Sequence, residues 1–393
     1  MSRPIRVGIT HGEINGVGYE VILKALAEEG MTDICTPVLF GYYSVAEKCR
    51  KQLGLEDMKI QRASSASAAP DGKISVVEVG REAPEITPGN PTPETGASAV
   101  AALEMAVNAL QDGAVDVLVT APICKENVQG EGFNFPGHTE FLENRIGDGA
   151  KVRMILFDDF VRVALVSTHL PISKVAAAVT PESVRDAIDS LNISLKRDFG
   201  IVRPRIAVLS LNPHAGDGGL LGSEEKEIIS PVIEACREDG IIVFGPFAAD
   251  GFFALGDYRK FDGIVAMYHD QGLAPFKTLA GERGVNFTAG LPFVRTSPDH
   301  GTAFPIAWKG MADATSMREA IYKAIDIFRR REIYDEASAN PLRKFVSDKP
   351  DKGERQERMP RKDKQDGNGD NNRNDSGKGE NKTGEGEPLE TEI

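Results

Sequence analysis

Three of the six histidines stand just past the end of an apolar, strand-like run: Val163-Ala-Leu-Val-Ser-Thr-His169, Ile206-Ala-Val-Leu-Ser-Leu-Asn-Pro-His214 and Ile264-Val-Ala-Met-Tyr-His269. In open α/β sheets the ligand crevice lies outside the carboxyl ends of the strands, so His169, His214 and His269 can converge although they are distant in sequence. Three neutral imidazoles with an open position make a catalytic divalent-metal site, and the competing reading is three unrelated loop histidines. A fourth, His138, lies in Pro136-Gly-His-Thr-Glu140 ahead of a helical pattern, where the Thr139 hydroxyl can cap the helix and free amides can face an anion. Lys277, Asn286 and Arg295 fall in a Gly-rich, loop-like stretch after the His269 run. They offer two permanent cations and an amide, a group suited to a carboxylate or phosphate ester.

Two other features suggest chemistry and are better explained without it. Thr10-His-Gly12-Glu-Ile-Asn-Gly16-Val-Gly18 follows the first strand pattern, but its glycines match neither G-x-G-x-x-G nor a Walker A loop, which leaves a tight strand-to-helix turn. The four cysteines, Cys35, Cys49, Cys124 and Cys236, form no C-x-x-C pair and are expected to be reduced. Cys124 has Lys125 beside it but no evident base or resolving thiol, so a structural cysteine is favoured.

The elements that must hold these residues alternate. Strand patterns cover 5–10, 37–42, 115–121, 162–168, 205–211, 241–244 and 263–268, and helical patterns cover 93–110, 182–196 and 223–237. That alternation predicts an α/β protein with a largely parallel sheet. Runs 153–157 and 162–168, parted by Asp158-Asp159, suggest a local hairpin and hence a mixed sheet. The length, 393 residues, suits two packed domains and a tail. From Ser347 to Ile393 only Met359, Leu389 and Ile393 are hydrophobic, too few to offset the entropy of ordering, so 347–393 is expected to be disordered. A net charge of -13 argues against a continuous nucleic-acid footprint while permitting a local basic pocket. No run approaches a membrane span and no signal-peptide pattern opens the chain, so a cytoplasmic protein with no membrane partner is expected.

Gly137-His-Thr-Glu140, Leu211-Asn-Pro-His-Ala-Gly216, Gly245-Pro-Phe-Ala-Ala-Asp250, Tyr268-His-Asp-Gln-Gly272 and Asp299-His-Gly-Thr-Ala303 together resemble the 4-hydroxythreonine-4-phosphate dehydrogenase family, in order, over about residues 5–340. The resemblance implies a fold similar to isocitrate and isopropylmalate dehydrogenases, with 1–130 and 296–346 in one domain and 131–295, carrying the metal histidines, in a second. It implies NAD-dependent oxidation of 4-phosphohydroxy-L-threonine followed by decarboxylation to 3-amino-2-oxopropyl phosphate, in pyridoxal phosphate synthesis. By the same resemblance one divalent ion (Zn, Mg or Co) is held by His169, His214 and His269, and the substrate meets His138, Thr139, Lys277, Asn286 and Arg295. His138 and Lys277 are then the catalytic candidates, and His300, Gly301 and Thr302 the cofactor candidates. A homodimer with metal sites shared between subunits is implied as well. The chain departs from the family at Thr10–Gly18, where the usual Thr-Pro-Gly-Asp-Pro-Ala-Gly-Ile-Gly has lost both prolines and gained Glu13. Relatives that oxidise 4-phosphoerythronate or 4-phosphothreonate make that departure a question of substrate preference. From outside the family, a metal-dependent hydrolase using the same histidines or a non-catalytic ligand sensor are the competing functions.

Overall fold

The computed structural model describes residues 3–130 and 133–341. The expected disordered tail, 347–393, lies outside the described residues. Twelve strands form one sheet: β1 Ile5–Thr10, β2 Cys35–Gly41, β3 Ile60–Ala63, β4 Ile74–Glu78, β5 Val117–Thr120, β6 Arg153–Phe157, β7 Arg162–Leu165, β8 Ile206–Leu209, β9 Val243–Phe247, β10 Gly263–Ala266, β11 Val285–Ala289 and β12 Val294–Pro298. Their order across the sheet is β3-β4-β2-β1-β5-β12-β11-β6-β7-β10-β8-β9.

The outer strands on both sides pair in parallel, and only the β12/β11, β11/β6 and β6/β7 pairs are antiparallel. The α/β fold with a mixed sheet is thus as expected, and so is the β6–β7 hairpin. Its turn is held by Asp158, whose carboxylate accepts the amides of Phe160 and Val161 at 2.8 and 2.7 Å. Strands buried on both faces read as continuous apolar runs. β5 is an example: Val117 and Val119 join the core on one face while Leu118 joins the core on the other.

The helices that cover the sheet begin where their sequences dictate. Pro93–Gln111 opens with Thr92 and Thr95 in a reciprocal capping box and proline in its first turn, and Pro181–Arg197 repeats the device with Thr180 and Thr180's partner Ser183. The 223–237 pattern resolves into a π-helical turn at Glu225–Ile229 followed by an α-helix at Ser230–Glu238. The last helix, Thr315–Ala339, is tied to the end of Pro181–Arg197 by a buried Arg331–Asp198 pair at 2.6 Å.

The structure corrects one expectation that matters for the site. The stretch carrying Lys277, Asn286 and Arg295 is not loop-like: Lys277 is on helix His269–Ala280, Asn286 on β11 and Arg295 on β12. Its glycines lie at the turns between those elements. β3, β4 and the last helix were also absent from the sequence-based elements.

Candidate active site

The antiparallel strands in the middle of the sheet build a polar floor. Side chains alternate between faces along a strand. On β11, Val285, Phe287 and Ala289 therefore enter the core, and Asn286 and Thr288 face the other way. Arg295 reaches Thr288 from β12, its Nη1 donating to Oγ1 at 3.0 Å. Its Nε and Nη2 donate to Thr120 Oγ1, just at the end of β5, at 3.1 and 2.6 Å. Arg295 is 2% exposed, and no carboxylate neutralises it by a direct bond among the described residues.

Over this floor lies a cavity of about 240 Å³ lined by Thr120, Lys125, His138, Thr139, Glu140, Met154, His169, Asn286, Arg295, Ser297, His300 and Gly301, among others. Buried polar atoms in folded proteins almost always find partners. Here His138 Nε2, Asn286 Oδ1 and His300 Nε2 have none, and all three residues line this cavity. A buried guanidinium beside three unpartnered polar atoms is a seat for an anionic, hydroxyl-bearing ligand.

Electrostatics keep that seat receptive. Burial, then the charges of Arg295 and Lys125, hold His138 well below the ordinary imidazole range, so at neutral pH it can accept a proton or a hydrogen bond. His169 is lowered by burial and then by Lys125, against an opposing pull from Glu140. Burial brings the Arg295 guanidinium down to about 10, with Glu140 opposing.

The helix His138–Ile146 starts at the cavity, but its cap is Gly137 with no side-chain capping bond, so Thr139 is a wall residue and not the cap. Two expected residues stand apart from the cavity wall. Lys277 Nζ pairs with Asp299 Oδ1 at 3.0 Å and donates to the Asp299 carbonyl at 3.1 Å. Thr302 uses its carbonyl to accept the amide of Val17 at 3.0 Å. Asp299 and His300 also line a second cavity of about 240 Å³, mostly apolar, with Val17, Val21, Ala303 and Ile306. His300 is thus a wall common to a polar and an apolar chamber.

The three strand-end histidines follow β7, β10 and β8, which are neighbours in the sheet. His169 and His269 meet with ring centres 5.9 Å apart and line a common cavity with Thr168, Tyr268 and Asp270. Asp270 Oδ1 lies 2.7 Å from His269 Nδ1, which orients that ring and leaves Nε2 free. His214 is on a separate left-handed turn, with φ 53°, and does not line that cavity. Among the described residues no three His, Cys, Asp or Glu side chains are grouped closely enough to hold a metal.

Comparison with known proteins decides the family. Residues 33–324 match the model of the pyridoxal phosphate biosynthetic protein PdxA. A 4-hydroxythreonine-4-phosphate dehydrogenase of Bacteroides thetaiotaomicron is 53% identical over 347 residues, 88% of this chain and 95% of the relative. The chain belongs to the PdxA family. It is therefore an oxidoreductase. A 4-hydroxythreonine-4-phosphate dehydrogenase structure from Klebsiella pneumoniae superposes with a TM-score of 0.71 at 35% identity, covering 84% of this chain and 98% of that one. A putative D-threonate 4-phosphate dehydrogenase of Oceanobacillus iheyensis is 37% identical over 83% of this chain and 99% of its own length.

The departure from the PdxA pattern at Thr10–Gly18 does not line the polar cavity, although its Val17 lines the apolar one. Glu13 is buried, accepting from the Asn15 amide at 2.9 Å and Asn127 Nδ2 at 2.6 Å, while its own amide donates to the Pro122 carbonyl at 2.8 Å. Gly12 has φ +67° and a side chain there would meet Pro122 O at 2.3 Å, which explains that glycine as a close approach. Lys125, Thr120, Glu140 and Ser297 were given no role by sequence. The alternation Val285-Asn-Phe-Thr-Ala289 is the signal that could have revealed the polar floor.

Proposed function

We propose that this chain oxidises 4-phosphohydroxy-L-threonine with NAD and decarboxylates the product to 3-amino-2-oxopropyl phosphate, in keeping with relatives named 4-hydroxythreonine-4-phosphate dehydrogenase. The observation that carries this reading is the buried Arg295 lining a cavity together with His138, Asn286 and His300, each of which has a buried side-chain atom without a partner. Arg295 binds a substrate anion through the part of its fork left free by Thr120 and Thr288. Neutral His138 accepts the proton of a substrate hydroxyl or orients it, and Lys277, set by Asp299, supplies a second cation beside His300. Asn286 and Thr139 fix the ligand's remaining polar groups.

His169 and His269 fit a divalent ion in donor type and mutual approach, with Asp270 orienting one ring. Bound there with NAD nearby, the ion supplies Lewis acidity toward a substrate oxygen and NAD supplies the hydride acceptor. The apolar chamber beyond His300, Gly301 and Thr302 is the place for the cofactor's adenosine half. We read the two halves of the sheet, meeting at β12 and β11, as the two domains that the resemblance implies.

We read His214 as donated across a two-fold homodimer. Among the described residues the His169–His269 pair lacks a third donor, and the exposed apolar Leu170, Ile172, Leu220 and Leu221 flank the two loops that would meet. Refolding His169→Ala with His214→Ala then restores activity in mixed dimers, whereas His169→Ala with His269→Ala restores none.

Appearance of NADH with 4-phosphohydroxythreonine and a divalent ion tests the reading. NADH from 4-phosphoerythronate or 4-phosphothreonate alone would move the assignment to a sugar-acid substrate. No NADH from any phosphorylated hydroxy acid would contradict it and leave hydrolysis or ligand sensing.

A further inference from the structure

Gln271 belongs to the Tyr268–Gly272 motif and has no role in the site as described. Both the oxygen and the nitrogen of its side-chain amide are engaged. Oε1 accepts the amide of Met267 at 2.7 Å, and Nε2 donates to the carbonyl of Ser210 at 2.7 Å. Met267 is the residue that follows β10 and lies two positions before His269. Ser210 follows β8 and leads into the turn that carries His214. The far side of Met267 is bound as well: its carbonyl accepts from the Ser167 amide at 3.1 Å and from Ser167 Oγ at 2.8 Å, and Ser167 lies two positions before His169. Ser210 Oγ in turn donates to the Asn212 carbonyl at 2.9 Å. Glu225, from the π-helical turn, accepts the amides of Leu211 and Asn212 at 2.8 and 2.7 Å.

These bonds form one continuous strap, Ser167 to Met267 to Gln271 to Ser210, across the ends of β7, β10 and β8. Three of its members are buried, Ser167 at 6%, Ser210 at 1% and Met267 at 0% exposure, and Gln271 is half-buried. A backbone amide or carbonyl left unpaired in such a place costs about as much as a lost buried hydrogen bond, so the three strand ends are held in one arrangement. Each of the three histidines leaves the sheet within a few residues of a strap bond.

We propose that Gln271 is a positioning residue that holds the His169 and His269 loops in place and fixes the root of the turn that presents His214 to the other subunit, and thereby sets the affinity for a divalent ion. This rests on the metal reading above. A merely structural alternative exists, since Gln271 is the third residue of helix His269–Ala280 and its reach back to Met267 resembles half of a capping box. The two roles separate by substitution. Q271E keeps an acceptor for the Met267 amide and adds a negative charge at a helix N-terminus, which suits the capping role. It cannot donate to Ser210 and sets a carboxylate against that carbonyl.

The test is zinc affinity of the full-length protein by competition with a chromogenic chelator, with melting temperature of the zinc-free protein measured alongside. Loss of an outer partner of a metal site lowers affinity by about 10 to 100-fold. Q271M is expected to fall in that range, and Q271E to regain the wild-type melting temperature while its zinc affinity stays low. S167A, which removes one of the two bonds at the other end of the strap and leaves the Ser167 amide in place, should weaken zinc in the same direction by less and serves if Q271M does not fold. Zinc affinity recovering together with stability in Q271E, or unchanged affinity in both Q271M and S167A, would overturn the proposal. If H169A binds zinc as tightly as wild type, the metal reading itself fails and the strap's role in metal binding falls with it, an outcome visible without any Gln271 variant.

Discussion

His11 is buried and His138 half-buried, and the contrast between them separates a site from a well-filled core. Both titrate low, chiefly because burial disfavours the imidazolium: His11 comes down to about 4 and His138 lies well below the ordinary range. Both also keep an unpaired ring nitrogen, Nδ1 in His11 and Nε2 in His138. An orphan atom and a shifted pKa are therefore insufficient marks of function. The difference is in charge and room. His11 stacks on Tyr19 at 5.5 Å and places Nε2 3.2 Å from Ser98 Oγ, among neutral side chains that fill the space. His138 feels Arg295 and Lys125 and opens on a cavity. Cations gathered around an uncharged imidazole over empty space await an anion.

Breaking the charged side of this contrast should have the largest effect. Arg295→Ala leaves a substrate anion unpaired in a buried place, a loss of about 3 to 5 kcal/mol, or on the order of a thousandfold in kcat/KM. Steady-state kinetics check it. His138→Gln should cost roughly a hundredfold or more in kcat, the scale of a lost proton-transfer group, whereas His11→Gln should leave kcat near wild type.

The effect of His11 belongs on stability instead. Its folded pKa is depressed, so between about pH 6.5 and 4 the unfolded chain binds a proton that the folded chain refuses. Stability contributed above that window is lost as pH falls through it, by about 3 kcal/mol at 1.36 kcal/mol per unit. Denaturant unfolding of His11→Gln should show a flatter acid slope. The smallest expected effect is that of Lys125→Met: removing a charge that lowers His138 should move the acid limb of kcat/KM to higher pH with the plateau kcat nearly kept.

The same two regions show what sequence carries. The strand before His11 was legible to the residue, Ile5–Thr10, because an uninterrupted apolar run is buried on both faces of a parallel sheet. β11 and β12 were read as loop because their polar residues face a cavity, which breaks the apolar run, and glycines flank them. His169, His214 and His269 were visible because each follows a readable strand. Lys125 and Thr120 were not, since nothing in a sequence says that β5 ends opposite β12. At the departure Thr10–Gly18, Glu13 is buried and braces Asn15, Asn127 and Pro122, contacts that no sequence pattern announces.

The central claim is that His138, and not His11, faces the phosphorylated substrate. It is tested most directly by following both imidazoles in the nitrogen NMR spectrum of ¹⁵N-histidine-labelled protein while 4-phosphohydroxythreonine is added without NAD. The account predicts that the ester moves the His138 resonances and raises the pH at which that ring protonates, since a nearby anion favours the imidazolium, and that His11 stays in place. An ester that binds while His138 remains unmoved, or that shifts His11 as strongly, would contradict it.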